Sequence, residues 1–212
     1  MATPVKPRLR GVLHQWAFYI AIAAGLVLVA VADGWLPRFA AWVYATALVG
    51  MFGASALYHR YPFQSAARRM WARRLDHSTI FVFIAGTYTP FALLAFEGAI
   101  RWIVLAAVWF GAVLGLVLNF VWLDAPSWVT ALAYVSVGGV GVVAIPELFG
   151  AVGWPGSTLV IIGSALYVLG AVVYAVHWPN PFPATFGFHE IFHVLVVAAA
   201  TAQFVAVSFV VV

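Results

Sequence analysis

Gly187-Phe188-His189-Glu190-Ile191-Phe192-His193 leads directly into an almost wholly apolar run from Val194 to Val212. Read as a helix, that run is long enough to cross a bilayer, which takes about 20 apolar residues. The two histidines stand four positions apart, so they share one helix face, about one turn from each other. Two imidazoles placed in this way suit a single metal ion, and zinc is the usual choice. The stretch therefore reads as half of a metal site at the mouth of a membrane span. Ionisable residues are costly there and point to function. The missing ligands must come from elsewhere in the chain.

Composition sets the frame. Of 212 residues, 66% are hydrophobic and only 8% are charged, against roughly a quarter in a soluble domain. So little polar surface cannot cover a globule in water, and the chain reads as an integral membrane protein. The net charge is +4, with the excess confined to two short segments. This is a topology signal and not a nucleic-acid patch. There is no cysteine, so disulfides and thiolate ligands are excluded and a metal must use His, Asp or Glu. No hydrophilic stretch is long enough for a second domain, so one all-α bundle over residues 1–212 is expected.

Seven stretches have spanning length: about 13–32, 39–58, 78–96, 102–123, 128–147, 157–177 and 188–211. Between them lie Asp33-Gly34-Trp35-Leu36-Pro37, the arginine-rich segment from Arg60 to Arg74, Glu97-Gly98, Asp124-Ala125-Pro126, Phe149 to Pro155, and Trp178 to Pro183. Pro and Gly punctuate the turns, and Trp at several ends fits the interfacial belt. The fifth span carries Gly138, Gly139 and Gly141 and is the least regular. The first follows Lys6, Arg8 and Arg10, and Ala30-Val31-Ala32 resembles a signal-peptide cleavage site. Its apolar run is long for a signal peptide, so an uncleaved helix is expected.

With seven spans and the N-terminus inside, Lys6, Arg8, Arg10, Arg60, Arg68, Arg69, Arg73 and Arg74 are cytoplasmic, and Arg38 and Arg101 are outside. This strong positive-inside bias places the N-terminus in the cytoplasm and the C-terminus outside. The same topology sorts every histidine to one membrane side. His14, His77, His189 and His193 begin spans, while His59 and His177 end them.

Ser55 lies one turn before His59 on the same face, and Asp76 sits at the mouth of the third span. His59, Asp76, His189 and His193 can then converge in one layer. Three histidines with an open position form a catalytic zinc arrangement. Asp76 can take a proton from water, and Ser55 can orient a ligand or donate to a substrate oxygen. Plainer roles stand beside these. Histidines at helix ends are ordinary interfacial or capping residues, the expected role of His14 and His177. Asp76 can be a simple N-cap, and Asp124 before Pro126 reads as a cap and turn. Arg68 to Arg74 can contact anionic lipid. Gly111-x-x-x-Gly115 is a helix-packing pattern, and Thr89-Pro90 predicts a kink tolerated through neighbouring groups. His189-Glu190-Ile191-Phe192-His193 also matches the metalloprotease signature H-E-x-x-H. No Asp, Glu or His follows His193, so a third ligand must come from upstream, and His59 is the best supplier.

Four pieces of the chain carry a family resemblance. They are Pro7-Arg8-Leu9-Arg10-Gly11-Val12-Leu13-His14-Gln15; Ser55-Ala56-Leu57-Tyr58-His59-Arg60; Leu75-Asp76-His77-Ser78 continuing to Ile84-Ala85-Gly86-Thr87-Tyr88-Thr89-Pro90-Phe91; and Phe186-Gly187-Phe188-His189-Glu190-Ile191-Phe192-His193. Together they resemble the haemolysin III family, within the wider group of progestin and adiponectin receptors, which is similar to the alkaline ceramidases. The resemblance runs from near the N-terminus to the last span, and its S-x-x-x-H, Asp and H-x-x-x-H set is specific in combination. It implies a seven-helix bundle with zinc near the cytoplasmic face. His59, His189 and His193 would be ligands, Asp76 would lie against the zinc-held water, and Ser55 would be close by. The pattern leaves Glu190 without a role. A short N-terminus implies no hormone-binding domain, and a bacterial inner membrane is the expected location.

Two function classes follow. One is a zinc-dependent hydrolase of a lipid amide or ester, with Asp76 as general base; the amide comes from the ceramidase resemblance. The other is a non-enzymatic pore, cytolysin or membrane-state sensor with a structural zinc. A wide pore needs a polar stripe across the bilayer, and the outer half offers little beyond Asp33, Glu97 and Glu147. The expected partners are membrane lipids, with no nucleic acid.

Overall fold

The computed structural model describes residues 6–212; the first five residues of the expected domain lie outside them. The described chain is helical in α1 (Val12–Val31), α2 (Trp35–Arg60), α3 (Ala66–Pro90), α4 (Gly98–Val121), α5 (Ser127–Gly138), α6 (Ile145–Val176) and α7 (Phe188–Val211). A π-helical turn, Phe91–Ala95, extends α3, and a 3₁₀ segment, Gly139–Ala144, joins α5 to α6. Each helix packs against its sequence neighbours, α7 returns to α1, and α3 also reaches α5 and α7. The bundle is thereby closed, with α2 and α3 the most deeply buried.

Large apolar side chains cover the outside. Trp16, Ile20, Leu26, Phe110, Val113 and Leu132 are all exposed, over an area that water would not tolerate on a monomer. Trp35, Trp102, Trp128, Trp154 and Trp178 stand exposed near helix ends or in loops, as the interfacial belt requires. The chain is a polytopic all-α membrane protein.

Among the described residues, six helical stretches have the length and apolarity to cross a membrane, where the sequence reading expects seven. The difference is local. The expected spans 128–147 and 157–177 run together as Ser127–Val176, 50 residues long. Straight, this would measure about 75 Å, against a hydrocarbon core of about 30 Å. It is not straight: Gly153 breaks it with φ 61° and ψ −172°, a conformation open essentially only to glycine. Pro155 then fits the start of the following helical run. Ser127 Oγ donates to the Ala175 carbonyl at 3.2 Å, so the stretch doubles back until its two ends meet. The expected break at Phe149 to Pro155 thus shrinks to one residue, with helix on both sides.

The Thr89-Pro90 kink takes the form of the π turn, where Phe96 N donates to Phe91 O at 3.0 Å. Thr89 Oγ1 donates to the Ala85 carbonyl at 2.8 Å and accepts from Trp109 Nε1 at 3.2 Å. Tyr88 donates to the Gly138 carbonyl and accepts from Gly141 N, which ties the irregular glycine-rich segment to α3. Arg73 pairs with Asp124 at 2.7 Å, and Arg74 lies over Trp71 and Phe120. Two of the segment's arginines therefore also brace the start of α3.

Gly115 of the Gly111-x-x-x-Gly115 pattern lies directly under the Phe81 ring, where a Cβ would collide. Phe81 is fully buried and packs against Tyr134, so it has little room to yield. Gly115→Val is expected to cost about 1–3 kcal/mol through overpacking, read as a lower thermal midpoint in detergent.

Candidate metal centre

Two helix ends build the site. α7 presents His189 and His193 from its first two turns, and the last turn of α2 presents His59. One ring nitrogen from each lies within 4.8 Å of the other two. His59 Nε2 and His189 Nε2 are 3.1 Å apart, close to the separation of about 3.3 Å expected for two nitrogens on one tetrahedral zinc. His59 and His193 are buried and His189 is partly so. The donor set and its spacing fit a metal ion, and imidazole is a ligand that zinc, copper, iron and nickel all accept. Asp76, buried on α3, brings Oδ2 to 3.6 Å from His59 Nε2. It stands at the edge of the same group.

Ser55 is buried on α2, one turn before His59. Its hydroxyl is 2.8 Å from Nδ1 of His14, and His14 stacks on His193 with ring centroids 3.8 Å apart and planes 13° from parallel. His14 is only 2% exposed. The expected interfacial role for His14 is therefore replaced by a buried one against a candidate ligand. His14 belongs to the segment Pro7 to Gln15, whose resemblance to the family was the signal available in the sequence. His77 lines the adjoining cavity, and its carbonyl accepts from Tyr134 Oη at 3.0 Å. His177 is exposed at the end of α6, packed edge-on against Phe188, and keeps its expected role. All six histidines lie at one end of the bundle.

The start of α7 is held by Glu190. Its Oε2 accepts from Gly187 N at 2.8 Å, and its Oε1 meets Arg10 Nε at 2.5 Å. With 1% exposure and both oxygens engaged, Glu190 is a cap and anchor. This geometry opposes the metalloprotease reading, in which the same residue would serve as base. Arg8 N and Leu9 N donate to Ala184 O and Thr185 O at 3.0 and 3.2 Å, so the segment before α1 is laced to the loop before α7. Gly11 then turns into α1 with φ 79°, and a Cβ there would strike His59. Lys6 Nζ donates to the His59 carbonyl at 2.6 Å, placing a cation at the negative end of α2. Partial burial, then Arg69, Arg10 and Arg60, push the Lys6 ammonium pKa below its ordinary value.

A cavity of about 510 Å³ opens beside the histidines, which is within the usual range for small-molecule sites. His14, Ser55, Asp76, His189 and His193 line one end, and Phe91, Phe96 and Leu148 the other. Its walls include the exposed residues Val142, Ile161 and Val168, so it reaches the lipid-facing surface between the 3₁₀ segment and α6.

A family model described as Haemolysin-III related matches residues 2–204. Hemolysin-3 of Bacillus cereus is 33% identical over 136 residues, 64% of this chain and 59% of that protein. A Hemolysin-3 homolog of Bacillus subtilis (strain 168) is 32% identical over 136 residues, 64% of this chain and 61% of that protein. The match thus spans about three fifths of the length of these curated relatives.

Removing Arg10 alone would leave the Glu190 carboxylate buried without its cation. Arg10→Met is expected to cost about 3–5 kcal/mol, and the paired change Arg10→Met with Glu190→Leu to recover part of it. Thermal unfolding of the two variants measures the difference.

Proposed function

The chain belongs to the haemolysin-III-related family, and from that premise we propose that it is a zinc-dependent membrane hydrolase of a lipid amide or ester bond. The observation that carries this reading is the meeting of three histidine nitrogens within 4.8 Å at the mouth of a lipid-sized cavity. His59, His189 and His193 would hold the ion. A bound zinc ion supplies Lewis acidity, which makes water a nucleophile near neutral pH and polarises a carbonyl. Asp76 would take the proton from attacking water and return it to the leaving group. His14, held by Ser55, steadies the His193 ring by stacking. Ser55 itself acts through His14 as a positioning residue. The apolar walls receive the lipid chain and exclude bulk water from the reacting end, and the opening beside α6 admits it from the bilayer.

The chain would form one unit of seven passes in a bacterial plasma membrane, N-terminus in the cytoplasm and C-terminus outside. The hydrogen bond between Ser127 and Ala175 supports two passes for that stretch, and eight basic residues on one side support the orientation. A reporter fused after Val212 is expected to be active only outside the cytoplasm; cytoplasmic activity would reverse the topology.

A second reading has one observation in its favour. Asp76 Oδ2 lies 3.6 Å from His59 Nε2, near enough for a small shift to make it a fourth ligand. A site closed by four protein ligands would be structural, as in a sensor or in a cytolysin of the kind the relatives' names denote. Elemental analysis separates the readings. The hydrolase reading expects about one zinc per chain in the wild type and loss in His59→Ala and His193→Ala. Asp76→Asn should retain zinc and lose lipid-amide or lipid-ester hydrolysis by about 100-fold or more. Zinc lost with Asp76→Asn, and no turnover in the wild type, would favour the structural site; a folded wild type without metal would remove both.

A further inference from the structure

We infer that the cavity contains a second polar station deep in the bilayer, formed by Gln203, Tyr167 and Ser164, which recognises a hydroxyl group on the lipid chain. The inference rests on the lipid reading above and adds the class of lipid. Gln203 lies ten residues beyond His193 on α7, which is about 15 Å along the helix axis. That depth is about half of the hydrocarbon core, so the recognised hydroxyl belongs near the middle of a long acyl chain.

Gln203 is 4% exposed and lines the cavity. Its Nε2 donates to the Val160 carbonyl at 3.2 Å, while its Oε1 has no partner. The Tyr167 hydroxyl, on a second residue of the cavity wall, is likewise buried and unpartnered. Buried polar groups left unsatisfied are costly, more so at mid-membrane, and their retention calls for a partner. α6 and α7 run antiparallel here: Gly163 faces Gln203, and Gly170 faces Phe192 and Leu195. Tyr167 falls between these levels. Long helical side chains lean toward the helix N-terminus, which carries the Tyr167 ring toward the level of Gln203. Ser164, next to Gly163, completes the wall at that level. Gly163 makes the room, because a Cβ there would sit 3.0 Å from Gln203 Nε2.

The chemistry selects the ligand group. An amide oxygen only accepts, so it needs a donor; a phenol can donate or accept. A hydroxyl satisfies both at once, donating to Gln203 and accepting from Tyr167. A plain methylene chain satisfies neither, and a ketone satisfies only the phenol. Between the histidines and the station the wall is apolar, with Ile80, Phe83, Phe192 and Val196, which suits the intervening methylenes.

The test is binding of stearate, 12-hydroxystearate and 2-hydroxystearate to the purified full-length protein in nanodiscs. The mid-chain hydroxyl is expected to tighten binding by about fivefold over the other two. Gln203→Met and Tyr167→Phe should each erase that preference while leaving stearate affinity and zinc content unchanged. Equal affinities for all three acids in the wild type would overturn the station and leave the hydrolase reading standing. So would variants that weaken all three alike, since that would mean a packing role. Absence of any fatty-acid binding would overturn both. If one variant does not fold, the three-probe comparison on the wild type still decides.

Discussion

The buried ion pair between Glu190 and Arg10 fixes the geometry on which the site depends. Glu190 closes the first turn of α7 on the Gly187 amide and reaches across to Arg10. Since His189 and His193 flank it on the same two turns, the pair sets where the histidines stand relative to α1. The segment before α1 repeats the tie through its backbone bonds to residues 184 and 185. Gly11 and Lys6 then bring that segment onto the end of α2, at His59. One short stretch, residues 6–14, therefore touches both sources of the candidate ligands and contributes His14 itself. A site built from distant parts of the chain needs such a clamp, because its ligands are otherwise positioned only by apolar packing, which resists sliding weakly.

The bilayer explains why polar chemistry gathers at one end. Ionisable side chains are expensive in hydrocarbon and persist where they meet one another, a cavity or the interface. Asp76, Glu190 and five of the histidines satisfy this by converging at the membrane mouth, while His177 stays exposed there. Away from the histidines the cavity is lined by Phe91, Phe96 and Leu148. The result is a polar head region above a long apolar chamber, the shape of an amphipathic molecule. Small residues make the chamber possible at close helix spacing: Gly115 under Phe81 and Gly163 beside Gln203 exchange side-chain volume for proximity.

Backbone irregularity is concentrated around the chamber. The π turn after Pro90, the 3₁₀ segment at Gly139–Ala144 and the break at Gly153 all fall on α3, α5 and α6. Non-helical backbone at membrane depth is tolerated where other groups satisfy it. Tyr88 does this for Gly138 and Gly141.

Much of this was legible in the sequence. Apolar runs of spanning length follow from the thickness of the bilayer, so the all-helical polytopic fold could be read from hydropathy alone. The four-residue spacing in His189 and His193 is a property of any helix. The sorting of histidines followed from counting spans, and the H-x-x-x-H and S-x-x-x-H pieces named the candidate ligands. Other features could not be read in this way. The break at Phe149 to Pro155 was legible, but that Gly153 alone would carry it, with helix on both sides, turned on one glycine's dihedral angles. Ser55 and His59 share a helix face, but only packing between α1 and α2 set Ser55 against His14. Glu190 and Arg10 are 180 residues apart, and no local pattern encodes their pairing. Periodicity and hydropathy are local properties and reach as far as one helix; which faces meet, and which polar atoms find partners, is decided when the helices pack.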